Sequence, residues 1–265
     1  MENTLPTPSV QLEYPQDGCA LLTLNRPHAK NALSTDLRRE LVRLFETELP
    51  GRARVIVLTG AGGVFCAGLD LKELAGSTDV RALITDPAAD VVGAMRAFAG
   101  PIIGAVDGAA ITGGFEVALA CDLLLASETA RFADTHVRVG VLPAWGLSQI
   151  LQRRIGAGRA KQMSLTGNFI GARQALAWGL VNDVCPQPDL LPAALRLAAD
   201  MLSAPPDMLR AYKSLIDRGG LLDLQAALTL EQKASAEWAA RLSVADLEQR
   251  RKEVLQRGRS QAEGA

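Results

Sequence analysis

The sequence predicts an α/β core followed by a purely helical C-terminal region. Short aliphatic runs of strand length alternate with longer segments of helical periodicity, and Ile102-Ile103-Gly104-Ala105-Val106 is the clearest of these runs. The runs are nearly continuous in apolar character, as in strands buried on both faces. No strand candidate follows Val184, and the remaining chain reads as helix after helix. These observations place an α/β core at residues 1–200 and a helical region at residues 201–265.

Taken in order, Val10 to Tyr14 and Cys19 to Leu24 read as two strands joined by a Pro-Gln-Asp-Gly turn. A polar loop, Asn25 to Leu33, leads to Ser34, a good N-cap. Leu37, Leu41, Leu44, Phe45 and Leu49 then follow at helical spacing until Pro50-Gly51. Val55 to Thr59 is a short buried strand, and a glycine-rich loop runs from Gly60 to Leu74. A helical segment is expected from about Thr78 to Ala99. After the strand at Ile102, a turn-prone loop gives way to an apolar helix starting at the Gly113-Gly114 pair, with Glu116 in its first turn. Leu123 to Ala126 and Ala130 to Ala133 read as further strands, and Val181 to Val184 as an edge strand. Helices are expected at Gly146 to Arg154, Gly158 to Leu165 and Ala172 to Trp178. The C-terminal helices are Leu190 to Leu202, Asp207 to Asp217, Leu221 to Arg241 and one from Ser243, where Ser243-Val244-Ala245-Asp246 resembles a capping box.

Composition excludes several classes of function. The 265 residues are 48% hydrophobic and 22% charged, too apolar for disorder. A net charge of -1 gives no electrostatic case for nucleic acid or an anionic membrane, and 4% aromatics argues against base-stacking surfaces. The first basic residue is Arg26, so no secretory leader is expected. The uncharged run Val139 to Gln152 contains Pro143 and Gly146, and no uncharged run reaches the length of a membrane span. Cys19, Cys66, Cys121 and Cys185 are dispersed in apolar settings, as expected of reduced core thiols in a cytoplasmic protein. With two histidines, His28 and His136, no metal site is expected.

The glycine loops invite nucleotide-binding readings, which fail. Gly60-x-Gly62 lacks the third glycine of a dinucleotide fingerprint, and no Gly-Lys-Ser/Thr occurs. Ser148 has no nucleophile elbow around it. The pairing of a helix N-terminus with Glu116 is more informative. Unpaired N–H groups and a carboxylate stand side by side at the mouth of a buried strand. That arrangement suits a reaction in which charge grows on a carbonyl oxygen while a proton moves nearby.

Several segments carry a family resemblance: Leu24-Asn25-Arg26-Pro27 with Lys30-Asn31-Ala32-Leu33; Phe65-Cys66-Ala67-Gly68-Leu69-Asp70-Leu71-Lys72-Glu73; and Asp107 through Asp122. Phe132-Ala133-Asp134, Val139 to Pro143, Leu165-Thr166-Gly167 and Ala175-x-x-x-Gly179-Leu180-Val181 agree with them in order and spacing. Together they resemble the crotonase superfamily, the enoyl-CoA hydratase/isomerase family, over nearly the whole chain.

The resemblance implies a spiral of ββα turns, with C-terminal helices that pack in trimers or pairs of trimers. It also implies an acyl-CoA thioester substrate and no separate cofactor, CoA being part of the substrate. By position, the backbone N–H groups of Leu69 and Gly113 would hold the thioester oxygen as it becomes an enolate. Glu116 matches one of the two catalytic glutamates of the hydratases. His136 stands where they carry the second. Arg26, Lys30, Ala67, Asp70 and Lys72 lie in loops that border CoA in relatives, and Lys213 in a helix that can offer a lysine to a neighbouring subunit's CoA. Thr112 replaces a glycine found in many members. Ala144 replaces the nucleophilic aspartate of dehalogenase-type relatives, which disfavours that reaction. The histidine leaves three readings open: a hydratase, an isomerase or other enolate chemistry, and an acyl-CoA-binding protein without catalysis.

Overall fold

The computed structural model describes residues 8–263. The expected N-terminal hairpin is present, as β1 (Val10–Gln16) and β2 (Cys19–Leu24). A short 3-10 turn precedes α1 (Thr35–Arg43), where the Ser34 side chain caps the Leu37 N–H. The helix loosens into a π turn at Leu44–Glu48 before β3 (Val55–Gly60). Four short pieces follow: α2 (Leu71–Gly76), α3 (Val80–Ile84), a 3-10 turn Pro87–Ala89 and α4 (Val91–Ala97). The single helical segment expected over 78–99 is therefore broken. Asp79, Asp86 and Asp90 each accept a backbone N–H at 2.9–3.0 Å, so each starts a new piece, and Pro87 prevents continuation.

The chain then alternates between two sheets. It forms β4 (Ile102–Val106), β5 (Ala109–Ile111), α5 (Gly113–Ala120), β6 (Leu123–Ser127), β7 (Arg131–Ala133), α6 (His136–Val139), α7 (Leu147–Ile155), α8 (Ala157–Thr166), β8 (Ile170–Gly171), α9 (Ala172–Ala177) and β9 (Asp183–Cys185). The larger sheet has the order β1-β2-β3-β4-β6-β9, with β1 antiparallel and the rest parallel. The smaller has the order β5-β7-β8. Each of β4 and β6 thus hands the chain to a short strand of the small sheet and then to a helix. These are the ββα turns that the family resemblance implied.

Burial on both faces explains the continuous apolar runs. In β3, Ile56 and Leu58 face the main core with Leu22, Leu37, Phe115 and Leu124. Val55 and Val57 face the opposite side with Leu21, Ile103 and Leu125. That side is covered by α10 (Gln187–Leu202), through Leu190, Ala194 and Ala198. The α5 helix runs through the main core, and its C-terminal carbonyls at Leu119 and Cys121 accept from the Arg154 guanidinium at 3.2 and 2.6 Å.

Close packing fixes where α5 begins. A Cβ on Gly114 would lie 2.3 Å from the Cys66 carbonyl oxygen and 2.7 Å from Cys66 Cβ. Gly114→Ala is accordingly expected to destabilise the fold by about 1–3 kcal/mol, read as a lower denaturation midpoint.

By internal contacts the chain divides into Met1–Arg210 and Ala211–Ala265. The helix α11 (Pro206–Gly219) crosses that boundary, and α12 (Leu224–Ala239) and α13 (Val244–Glu263) follow. Asp223 caps α12, which is why that helix starts later than Leu221. The Asp246 side chain of the expected capping box lies outside the described residues. Within the second unit, Lys213 pairs with Asp217, Lys233 with Glu237 and Arg251 with Glu248 along their own helices.

Candidate active site

Two loops bring backbone donors together. Leu33 and Leu69 form an isolated parallel bridge, as do Cys66 and Ala110. The Leu33 N–H donates to the Gly68 oxygen at 2.8 Å and the Asp70 N–H to the Leu33 oxygen at 3.4 Å. Those two bonds flank Leu69, so its own N–H turns to the opposite edge. Gly113 opens α5, where an N–H has no partner within the helix. A Cβ on Gly68 would lie 3.4 Å from the Gly113 nitrogen, and one on Gly113 would lie 3.5 Å from the Leu69 nitrogen. The two N–H groups therefore border one small space. Gly68 adopts φ +94°, and a side chain there would also meet the Ile111 oxygen at 2.9 Å, so only glycine allows this approach.

Beside this space stands a buried row of ionisable side chains. Glu116, one turn into α5, is 3% exposed. Its Oε1 accepts the N–H groups of Trp145 at 2.8 Å and Leu147 at 3.3 Å. Its Oε2 lies 3.6 Å from His136 Nε2. On the far side of the ring, His136 Nδ1 is 2.6 Å from Asp134 Oδ1, which also accepts the His136 backbone N–H at 3.2 Å. Burial alone would depress the imidazole pKa. The hydrogen bonds and charges of Asp134 and Glu116 outweigh it, and the value is pushed up to about 9. Burial likewise raises Asp134, but its bonds to His136 and Ser164 prevail and hold that carboxyl below its usual range. The imidazole is thus a cation at neutral pH, oriented by Asp134 with Nε2 facing Glu116.

Leu69, Glu116 and His136 share one cavity of roughly 80 Å³, also lined by Thr112, Thr135 and Trp145, and Gly113 adjoins it beside Leu69. Its outer wall is apolar: Leu71 and Leu74 from α2, Val80 and Ile84 from α3, Val139 from the end of α6, and Val141 and Leu142 after it. Glu116, His136, Leu69 and Gly113 are therefore brought together. Ala67 also borders the cavity, and its N–H donates to the Lys30 oxygen at 3.1 Å.

The remaining candidates lie around this centre. Arg26 is occupied locally: its Nη1 donates to the Ala32 oxygen at 2.6 Å and pairs with Asp70 at 3.1 Å. Asp70 also caps α2 through the N–H groups of Lys72 and Glu73. Burial raises the Asp70 carboxyl, but Arg26 and these N–H groups outweigh it and leave it lowered. Lys30 and Lys72 have exposed side chains. Among the described residues, no group of three or more His, Cys, Asp or Glu side chains is placed to hold a metal ion. Sequence reasoning missed Asp134 as the partner of His136, although their i, i+2 spacing was visible. It also missed the N–H groups of Trp145 and Leu147, for which no side-chain signal exists.

Comparisons with known proteins agree with this architecture. A model of a family described as enoyl-CoA hydratase/isomerase matches residues 15–254. A probable peroxisomal enoyl-CoA hydratase of Arabidopsis thaliana is 39% identical over 234 residues, 88% of each chain. The crystal structure of an enoyl-CoA hydratase from Bacillus anthracis superposes with a TM-score of 0.86 at 33% identity, covering 92% of this chain and 96% of its own. A putative enoyl-CoA hydratase from Thermobifida fusca YX, solved with acetoacetyl-CoA, gives a TM-score of 0.79 at 30% identity, over 89% and 96% of the two chains.

Proposed function

The chain belongs to the enoyl-CoA hydratase/isomerase family, and on that premise we propose that it is an enoyl-CoA hydratase, adding water across the double bond of a trans-2-enoyl-CoA thioester. The observation that carries this reading is the buried row Asp134–His136–Glu116 ending in the cavity that Leu69 lines, with Gly113 beside the Leu69 nitrogen. Glu116 takes a proton from water as the water oxygen bonds to the β-carbon. The displaced electron pair moves through the α-carbon to the thioester oxygen, which the two N–H groups stabilise. Losing one such donor typically costs about 2.7–4 kcal/mol of transition-state stabilisation. The His136 imidazolium then protonates the α-carbon. Transfer of the proton from Glu116 to His136 resets the site.

The histidine thus supplies the acid from the position where the hydratases this chain resembles carry a second glutamate. Its charge, maintained by two carboxylates, supports that role. The test is turnover of crotonyl-CoA by the purified protein, followed by loss of the conjugated thioester absorbance. Isomerisation of a 3-enoyl-CoA without hydration, or calorimetric acyl-CoA binding without turnover, would overturn the reading. His136→Glu, run beside it, is expected to bring no large gain; a large gain would mean that the native site is specialised away from hydration.

The substrate would bring its own CoA, so no further cofactor is required. Exposed Lys30 and Lys72 are available to the CoA phosphates, with Ala67 lining their loop and with Arg26 and Asp70 bracing it. Exposed apolar residues on the C-terminal helices, such as Tyr212 and Ile216 at 61% and Leu224 at 76%, support assembly into a trimer or pair of trimers. Four free cysteines support a reducing, cytoplasmic setting. No helix among the described residues is long and apolar enough to cross a membrane.

A further inference from the structure

Thr112 holds a backbone conformation that a β-branched residue rarely adopts, with φ 52° and ψ −113°. It lies between β5 and α5, immediately before Gly113. Its surroundings over-determine it. The Thr112 N–H donates to the Ala133 oxygen at 2.9 Å, and its carbonyl accepts the Glu116 N–H at 2.9 Å. Its Oγ1 accepts the Thr135 N–H at 3.2 Å and shares a hydrogen bond with Thr135 Oγ1. Thr135 in turn immediately precedes His136, and both threonines line the cavity.

We propose that Thr112 and Thr135 form a clasp that aims the Gly113 N–H toward the space it borders with the Leu69 N–H and holds it in register with His136. The inference rests on the reading of Gly113 as an oxyanion donor. The direction of that N–H is set by the peptide plane between Thr112 and Gly113, which turns with ψ of Thr112. Relaxed into an ordinary helical or extended conformation, Thr112 would swing the plane, and a misaligned N–H bonds weakly. Glycine could reach the same φ and ψ without a steric penalty. Threonine stays there because its hydroxyl is fastened to the strand-to-helix turn that carries His136. Both threonines are positioning residues, since neither need touch the reacting atoms. The dependence is conditional: Thr135 is needed because residue 112 is not glycine.

That condition supplies the experiment. Thr135→Val keeps the shape and removes the hydroxyl. It is expected to lower kcat by about 10²-fold, the scale of a small misplacement of a reacting group, with little change in KM. Thr112→Gly should remove the dependence on residue 135, so Thr112→Gly/Thr135→Val should match Thr112→Gly alone. The direct readout is the ultraviolet absorbance of the enolate of bound acetoacetyl-CoA, which reports polarisation of the carbonyl whatever reaction follows. It should fall in Thr135→Val and return in the double variant. Three results would overturn the clasp: wild-type kcat and enolate absorbance in Thr135→Val, a double variant as poor as Thr135→Val, or a lowered melting temperature with the enolate signal intact. A wild-type protein that enolises acetoacetyl-CoA but does not hydrate crotonyl-CoA would remove the hydratase reading, and the same enolate comparison would still decide the clasp.

Discussion

Glu116→Gln is expected to lower crotonyl-CoA turnover by about 10²–10⁴-fold, the usual contribution of a positioned acid or base, while acyl-CoA affinity changes little. The substitution is nearly isosteric, and an amide oxygen can still accept the N–H groups of Trp145 and Leu147 now bound to Oε1. Only the second oxygen changes. In the wild type it faces His136 Nε2 across 3.6 Å. An amide nitrogen there would be a donor facing a donor, and it could not take a proton from water. At 3% exposure no bulk water can replace the lost carboxylate. The backbone groups proposed to hold the thioester oxygen are left in place by the variant, so binding should persist. Comparing kcat with calorimetric affinity for a saturated acyl-CoA checks both halves. Unchanged turnover would remove Glu116 from the chemistry.

The second large effect is a pH dependence. His136 titrates at about 9 in the folded protein, against 6.5 for an ordinary imidazole. Only the protonated ring can deliver a proton to the α-carbon, so kcat should be level at neutral pH and fall as pH rises through about 9. His136→Gln should lose this alkaline limb and lower turnover by about 10²–10⁴-fold. Asp134→Asn should instead move the limb to lower pH, because one of the two carboxylates that raise the ring would be gone. Stability should follow the same group. A folded pKa above the unfolded one means that protonation favours the folded chain. That contribution is complete below pH 6.5 and is lost as pH rises through about 9. A shift of this size corresponds to about 3 kcal/mol, measurable as a falling denaturation midpoint across that window in wild type and a flatter one in His136→Gln.

Much of this molecule can be read from its residues. Strands buried on both faces carry unbroken apolar runs, so β2, β3, β4 and β6 stand out. The three residues of β5 and the two of β8 are too short to show any period. The segment from 78 to 99 has helical composition throughout, but Asp79, Asp86 and Asp90 compete locally for backbone N–H groups and divide it. In the site, Leu69, Gly113, Glu116 and His136 were legible from loops of recognisable order. Their mutual distances were not, since these come from the Leu33–Leu69 and Cys66–Ala110 bridges between residues far apart in sequence. Nor could residue type disclose the positive φ of Thr112, because threonine is a poor predictor of that conformation.

Those two bridges also separate the parts of the molecule that can diversify from the part that cannot. In the proposed mechanism, activation of the thioester belongs to peptide groups, which substitution of a side chain does not delete. In that mechanism the step that follows depends on the side chains of Glu116 and His136, of which Glu116 also holds the Trp145 and Leu147 N–H groups. On the proposed mechanism, a side-chain change at residue 116 or 136 would alter the proton-transfer step while leaving the two peptide N–H groups in place.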